Sequence, residues 1–293
     1  MAISEASDLG SRLRGAVVFG FKKRRRVRLR AEPFPLPWLL TIERDVPYYG
    51  RLSEADQTEL QGHIQVFLAE KTFEGCGGLE MADDIRVIVA AQACVLLLHR
   101  DTNYFPKLDT VLVYPHAFLV ERTERGPGRW VIKSEELRVG ESWHQGVIIL
   151  AWDDVERSAV NHSGGARAAG PHDGHNVVFH EFAHQLDREN GDADGYPVLE
   201  DRALERAWPK VMQREFKRLE HDLECGRHTV IDPYGAENSA EFFAVVTECF
   251  FEIPARLKQH HPELYDIFSR YYQQDPASFG NDSETWFKNV YTD

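Results

Sequence analysis

Apolar and polar positions alternate along this chain in two periods, which divide it into helical and extended stretches. Leu60, Ile64, Phe67 and Leu68 recur at the three- and four-residue spacing of an amphipathic helix, predicted over about 53–71. Ser53 is placed to cap that helix, and Asp56 falls in its first turn, where a negative charge suits the helix dipole. A second helix, about 82–99, is rich in Ala, Val, Ile and Leu and is expected to run through the core. Shorter runs of β-branched and aromatic residues read as strands at 112–114, 118–120, 130–132 and, most strongly, 147–152. Gly126-Pro127-Gly128 reads as a turn, and 153–175 as an irregular approach to the next helix. Further on, the pattern predicts a helix over about 202–224, with Pro209 inside it and Gly226 at its end. Asp232-Pro233-Tyr234-Gly235 is a turn signal. Asn238 can cap a helix carrying Phe242, Phe243, Val246, Phe250 and Phe251, and two shorter helices, about 255–260 and 263–274, follow. These elements predict an α+β fold, mostly helical with a small mixed sheet.

The strongest single stretch is Val177-Val178-Phe179-His180-Glu181-Phe182-Ala183-His184-Gln185-Leu186-Asp187. It is an H-E-x-x-H pattern set in an apolar, helix-compatible run. At 3.6 residues per turn, His180 and His184 project from one face, and two imidazoles at that spacing can hold one Zn²⁺. Glu181 sits beside such a metal, which suits a general base acting on water. Asp187 returns to the same face, where it could accept a hydrogen bond from a ligating imidazole. The bland alternative is a helix with two incidental histidines. It is disfavoured because the flanking residues are apolar nearly all round, and buried His, Glu and Asp need partners. A catalytic zinc site usually has three protein ligands. The downstream candidates are Glu237, Glu241, Glu248, Glu252, His221 and His228, of which Glu241 is best placed. The competing reading of Glu241 is a helix-capping carboxylate. Glu248 lies two turns further along the same face. It reads either as an acceptor for a ligating imidazole or as a surface ion-pair partner. His162, His172 and His175 receive no role.

Charge and composition narrow the class. A net charge of −13 argues against a general nucleic-acid binder. The cysteines Cys76, Cys94, Cys225 and Cys249 have no C-x-x-C spacing, and Cys94 and Cys249 lie in apolar runs as small core residues. No apolar run approaches the length of a membrane-spanning helix, and no signal peptide is legible, so the expected location is cytoplasmic. Lys22, Lys23, Arg24, Arg25, Arg26, Arg28 and Arg30 form one basic cluster. It reads as a contact for anionic lipid, RNA or an acidic partner, or, the favoured reading, as a solvated terminus. The expected organisation is a flexible basic tail over 1–32, a single domain over 33–277 and a C-terminal tail over 278–293.

Several motifs together resemble the Mlc titration factor A family of zinc metallopeptidases. They are His180 to Asp187, Asn190-Gly191-Asp192, Tyr234, and Ala240-Glu241-x-Phe243-Ala244. Val113-Tyr114-Pro115, Ser142-Trp143-x-Gln145-Gly146 and Tyr272-Gln273-Gln274-Asp275-Pro276 extend the likeness from about Pro37 to Pro276, leaving the basic tail outside it. The stretch from Tyr234 to Ala244 is also similar to the catalytic domain of anthrax lethal factor. The resemblance implies a zincin-like fold with the sheet beside the H-E-x-x-H helix, one zinc per chain, Glu241 as third ligand and Tyr234 at the active site. It also implies aminopeptidase-type cleavage of short peptides, a part in the control of sugar-uptake genes, and a transcriptional repressor of the Mlc type as partner. A protein acting chiefly by sequestering that repressor, with peptidase activity secondary, is the alternative. By zincin analogy, strand 147–152 is expected to form the cleft edge. Asp153, Asp154 and Glu237 are candidates to hold a substrate amine.

Overall fold

The computed structural model describes residues 20–125, 131–138, 140–143, 146–159 and 174–279. Helix α1 covers residues 20–31, followed by α2 (Leu36–Asp45) and α3 (Glu54–Glu70). Strand β1 (Thr72–Gly75), helix α4 (Asp83–Val95) and strand β2 (Thr110–Tyr114) form a β–α–β unit. An antiparallel hairpin of β3 (Phe118–Arg125) and β4 (Val131–Arg138) stands apart as its own sheet. Strands β5 (Gly140–Trp143) and β6 (Val147–Ala151) return to the first sheet, whose order is β1-β2-β6-β5. In it β1, β2 and β6 are parallel and β5 is antiparallel to β6, so the sheet is mixed. Helices α5 (Trp152–Ala159), α6 (Val177–Asp187), α7 (Arg202–Glu224), α8 (Ser239–Glu252), α9 (Pro254–His260) and α10 (Pro262–Tyr272) complete the fold.

Local chemistry explains most helix boundaries. Ser53 Oγ accepts from Asp56 N at the start of α3, and Asn238 Oδ1 accepts from Ala240 N and Glu241 N at the start of α8. Gly226, at φ +65°, follows the end of α7, where a side chain would be strained. Helix α4 is buried along almost its whole length and packs on α2, α3 and α6. Its run of Ala90, Ala91 and Ala93 lets neighbouring backbones approach. Behind α8, Trp208, Phe243, Phe250, Phe268 and Tyr272 form an aromatic cluster with ring centroids 5.2–6.2 Å apart. Gln274 closes this core: its amide donates to Val95 O, and its carbonyl accepts from Tyr48 Oη.

Three expectations from the sequence change. Residues 20–31, placed in a flexible tail, are helical and docked: Arg26 grips both carboxylate oxygens of Glu70 at 2.8 Å, and Leu29 packs on the core. Part of the irregular approach is helix α5, while 160–173 and the turn at 126–128 lie outside the described residues. Strand β6 is not an edge. It is paired on both sides, by β2 and β5, and its Val-Ile-Ile-Leu-Ala sequence is the continuous apolar run of an interior strand. Among the described residues β5 forms that edge of the sheet. No helix among the described residues is long and apolar enough to cross a membrane.

Glu215 ties α7 to the α9–α10 junction. Its carboxylate accepts from His261 Nδ1 at 2.8 Å and from the Arg214 guanidinium at 2.8 and 3.0 Å. Burial alone would raise its pKa, but the hydrogen bonds from His261 and Arg214 prevail and bring it from 4.5 to about 2. A depressed carboxylate stabilises the fold above its unfolded pKa, and that contribution is lost as pH falls through about 2. Glu215→Gln should cost about 2–3 kcal/mol at neutral pH by urea unfolding. The gap from the parent protein should shrink as pH falls below 4.5.

Candidate metal centre

Helix α6 begins at Asn176, whose side-chain oxygen accepts from Phe179 N at 3.0 Å. Val178, Phe179, Phe182, Ala183 and Leu186 bury the helix in the core and hold its polar face against α8. On that face the His180 and His184 rings lie 4.9 Å apart. Glu241 reaches across from the first turn of α8. Its Oε2 is 3.0 Å from His180 Nε2 and 3.3 Å from His184 Nε2. The capping alternative for Glu241 does not apply, because its carboxylate points at the two imidazoles while Asn238 satisfies its N–H. Ligand atoms of His180, His184 and Glu241 all lie within 4.8 Å of one another.

Glu248 braces this group from behind. Its Oε1 is 2.7 Å from His180 Nδ1, and its Oε2 accepts from Asn176 N at 2.6 Å. One buried carboxylate thus fixes both the imidazole and the start of its helix. Asn176 was passed over in the sequence, although an Asn immediately before an apolar helical run is itself a capping signal. Asp187 takes a different partner from the one expected. It accepts from Gly195 N at 2.9 Å, and neither its Oδ1 nor His184 Nδ1 has a hydrogen-bond partner. Gly195, at φ +77°, presses on α8: an added Cβ would sit 2.3 Å from Ser239 O. Asp187 therefore helps to seat the N-terminal end of α8, two residues before Glu241.

Tyr234 sits on the one-turn 3₁₀ helix Pro233–Ala236, which Asp232 caps by accepting from Tyr234 N at 2.8 Å. Its ring centroid is 5.9 Å from that of His180, and the residue is 38 % exposed. His175, given no role from sequence, lies 3.3 Å from Asp232 Oδ2. His162 and His172 lie outside the described residues.

The charges here need a cation. If His180 Nδ1–H donates to Glu248, the Nε2 lone pair faces the Glu241 carboxylate, and only a proton or a metal ion reconciles two acceptors at 3.0 Å. Although burial works against its charge, Glu248 and Glu241 push the His180 pKa well above the usual imidazole range. Burial would also raise the Glu241 pKa, yet the two imidazoles hold it far below the usual carboxylate range. Burial lowers that of His184. Glu181 is 5 % exposed, and its Oε2 has no hydrogen-bond partner. Burial pushes its pKa up to about 7. Two nitrogens and a carboxylate oxygen, with excess buried negative charge around them, fit a zinc ion.

Two imidazoles and a carboxylate from two packed helices, with a buried carboxylate oxygen of Glu181 that has no hydrogen-bond partner, make up the donor set of a metal-dependent hydrolase. The model of the family described as glucose-regulated metallo-peptidase M90 matches residues 21–273, and this chain belongs to that family of metallopeptidases. The match includes the whole basic cluster from Lys22 to Arg30, which the motif resemblance does not cover. An uncharacterized protein of Synechocystis sp. is 41 % identical over 257 residues, covering 86 % of this chain and 89 % of that protein. Mlc titration factor A of Escherichia coli O127:H6 is 28 % identical over 267 residues, covering 89 % of this chain and 96 % of that one.

Glu248→Gln should weaken zinc binding about 10–100-fold, because a single amide oxygen cannot accept from both His180 and Asn176 as the carboxylate does. Competition with a chromophoric chelator measures the affinity, and an unchanged constant would remove Glu248 from the site.

Proposed function

We propose that the protein is a zincin-like zinc peptidase of aminopeptidase type, with zinc held by His180, His184 and Glu241. The observation that carries this reading is the convergence of those three side chains next to Glu181, whose Oε2 is buried without a hydrogen-bond partner. Zinc bound there supplies Lewis acidity, making a water nucleophilic near neutral pH and drawing charge from the scissile carbonyl. Glu181 takes a proton from the attacking water and passes it to the leaving amine. Burial raises the Glu181 pKa, which favours a carboxylate that takes up a proton and gives it back. The Tyr234 phenol donates a hydrogen bond to the substrate carbonyl oxygen as negative charge develops there. Glu248 holds His180 in the ligating tautomer throughout.

The backbone edge offered to an extended peptide is β5, which α6 packs against. Of the residues named for holding a free substrate amine, Asp154 is engaged by Arg157 and Asp153 pairs with His116. Glu237 is exposed, directly follows the turn that carries Tyr234 and makes no ion pair among the described residues, so it is the candidate retained for the amine. The name of the relative Mlc titration factor A favours a second role, sequestration of a transcriptional repressor of that type in the control of sugar uptake.

The test is hydrolysis of alanyl and other aminoacyl nitroanilides, with zinc content measured in parallel. Glu181→Gln should retain one zinc and lose activity by at least ~10²-fold, the low end for a positioned acid–base group. A Gln variant with full turnover would contradict the role of Glu181. Inactivity of both proteins with zinc bound would move the weight to the sequestering role.

A further inference from the structure

Helix α1 has two unlike faces. Lys22, Arg25, Arg26 and Leu29 lie three and four residues apart and face the body of the protein. Arg26 binds Glu70 and Asn103 and stacks on Tyr104 at 4.6 Å, Arg25 donates to Ala69 O, and Lys22 lies 3.5 Å from Glu70. These contacts fix the helix along its length. The opposite face carries Phe21, Lys23, Arg24, Val27 and Arg28, all exposed. Lys23, Arg24 and Arg28 make no ion pair among the described residues, and residues 20–31 contain no acidic side chain. This happens on a chain whose net charge is −13, so the cations are segregated rather than part of a general excess.

Apolar exposure gathers in the same region. Among the described residues the exposed large hydrophobics are Phe21, Val27, Leu36, Leu40, Val198 and Tyr234. Four of these six lie between residues 21 and 40, and Phe21 and Val27 are exposed by 68 % and 63 % in the midst of the cations. Nucleic acid or an acidic protein would be attracted by the charges but would leave an aliphatic side chain such as Val27 against phosphate or carboxylate. A bilayer surface with anionic headgroups satisfies both: the cations meet phosphate, and the apolar side chains enter the acyl boundary. We infer that the outward face of α1 is a peripheral docking surface for anionic phospholipid membranes. Because α1 is already folded against α3, the surface is preformed, and binding has no helix-ordering cost to overcome.

Co-sedimentation of the full chain with phosphatidylcholine vesicles, with and without phosphatidylglycerol, tests this. The protein should partition onto vesicles containing phosphatidylglycerol, bind phosphatidylcholine alone far more weakly, and be released by salt. Replacing Lys23, Arg24 and Arg28 together by Gln should lower partitioning ~100-fold, at roughly fivefold per cation. Phe21→Ser with Val27→Ser should lower it ~10-fold or more, with an unchanged circular dichroism spectrum in both variants. No binding to phosphatidylglycerol vesicles would overturn the inference, as would binding that survives the triple substitution. Binding that needs the cations but not Phe21 and Val27 would also overturn it, by assigning the face to soluble polyanions.

Discussion

The Glu248 carboxylate holds the site and the core together. It is buried at the crossing of α6 and α8, with one oxygen at His180 Nδ1 and the other accepting from the Asn176 backbone. A buried carboxylate is expensive to desolvate, and here it is tolerated because both oxygens are used. The consequence is geometric. Once Glu248 fixes the start of α6 against the middle of α8, Glu241, two turns earlier on α8, falls opposite His180 and His184. The apolar flanks of the two helices supply the burial, but apolar packing alone would permit small slides that these hydrogen bonds do not.

The same region accepts local costs that favour chemistry over stability. Glu181 is buried with a partnerless oxygen, His184 Nδ1 has no acceptor, and the His180 and Glu241 acceptors face one another. An unfilled hydrogen bond in the interior typically costs about 1–3 kcal/mol. Such costs survive only where the surroundings are over-determined, as they are between the Phe182 side of α6 and the aromatic cluster behind α8. Asp187 and Gly195 add to this from the far side, wedging the loop after α6 against the first turn of α8.

What was legible in the sequence follows the range of the interaction concerned. The caps at Ser53 and Asn238, the period of α3 and the His180–His184 spacing are short-range, and each was readable directly. Glu241 stood out as the best-placed third partner, yet its capping alternative was equally local. Only the crossing of two helices far apart in sequence showed where the carboxylate points. Asp187 illustrates the converse: it was expected to serve a ligating imidazole, but a loop backbone N–H eight residues away took its hydrogen bond. The edge role expected of 147–152 failed because an apolar run signals burial and does not name the neighbouring strand. The basic stretch was read as a tail because charge alone hides amphipathicity. Its inner face is held by Glu70, Asn103 and Tyr104, none of which is near it in sequence.

The three-ligand zinc site is tested by a crystal structure of the zinc-loaded protein with anomalous data collected at the zinc edge. A single strong peak about 2.0–2.2 Å from His180 Nε2, His184 Nε2 and a Glu241 oxygen, with His180 Nδ1 still on Glu248, is the predicted result. No peak at that position, or a peak held by other side chains, would contradict the account.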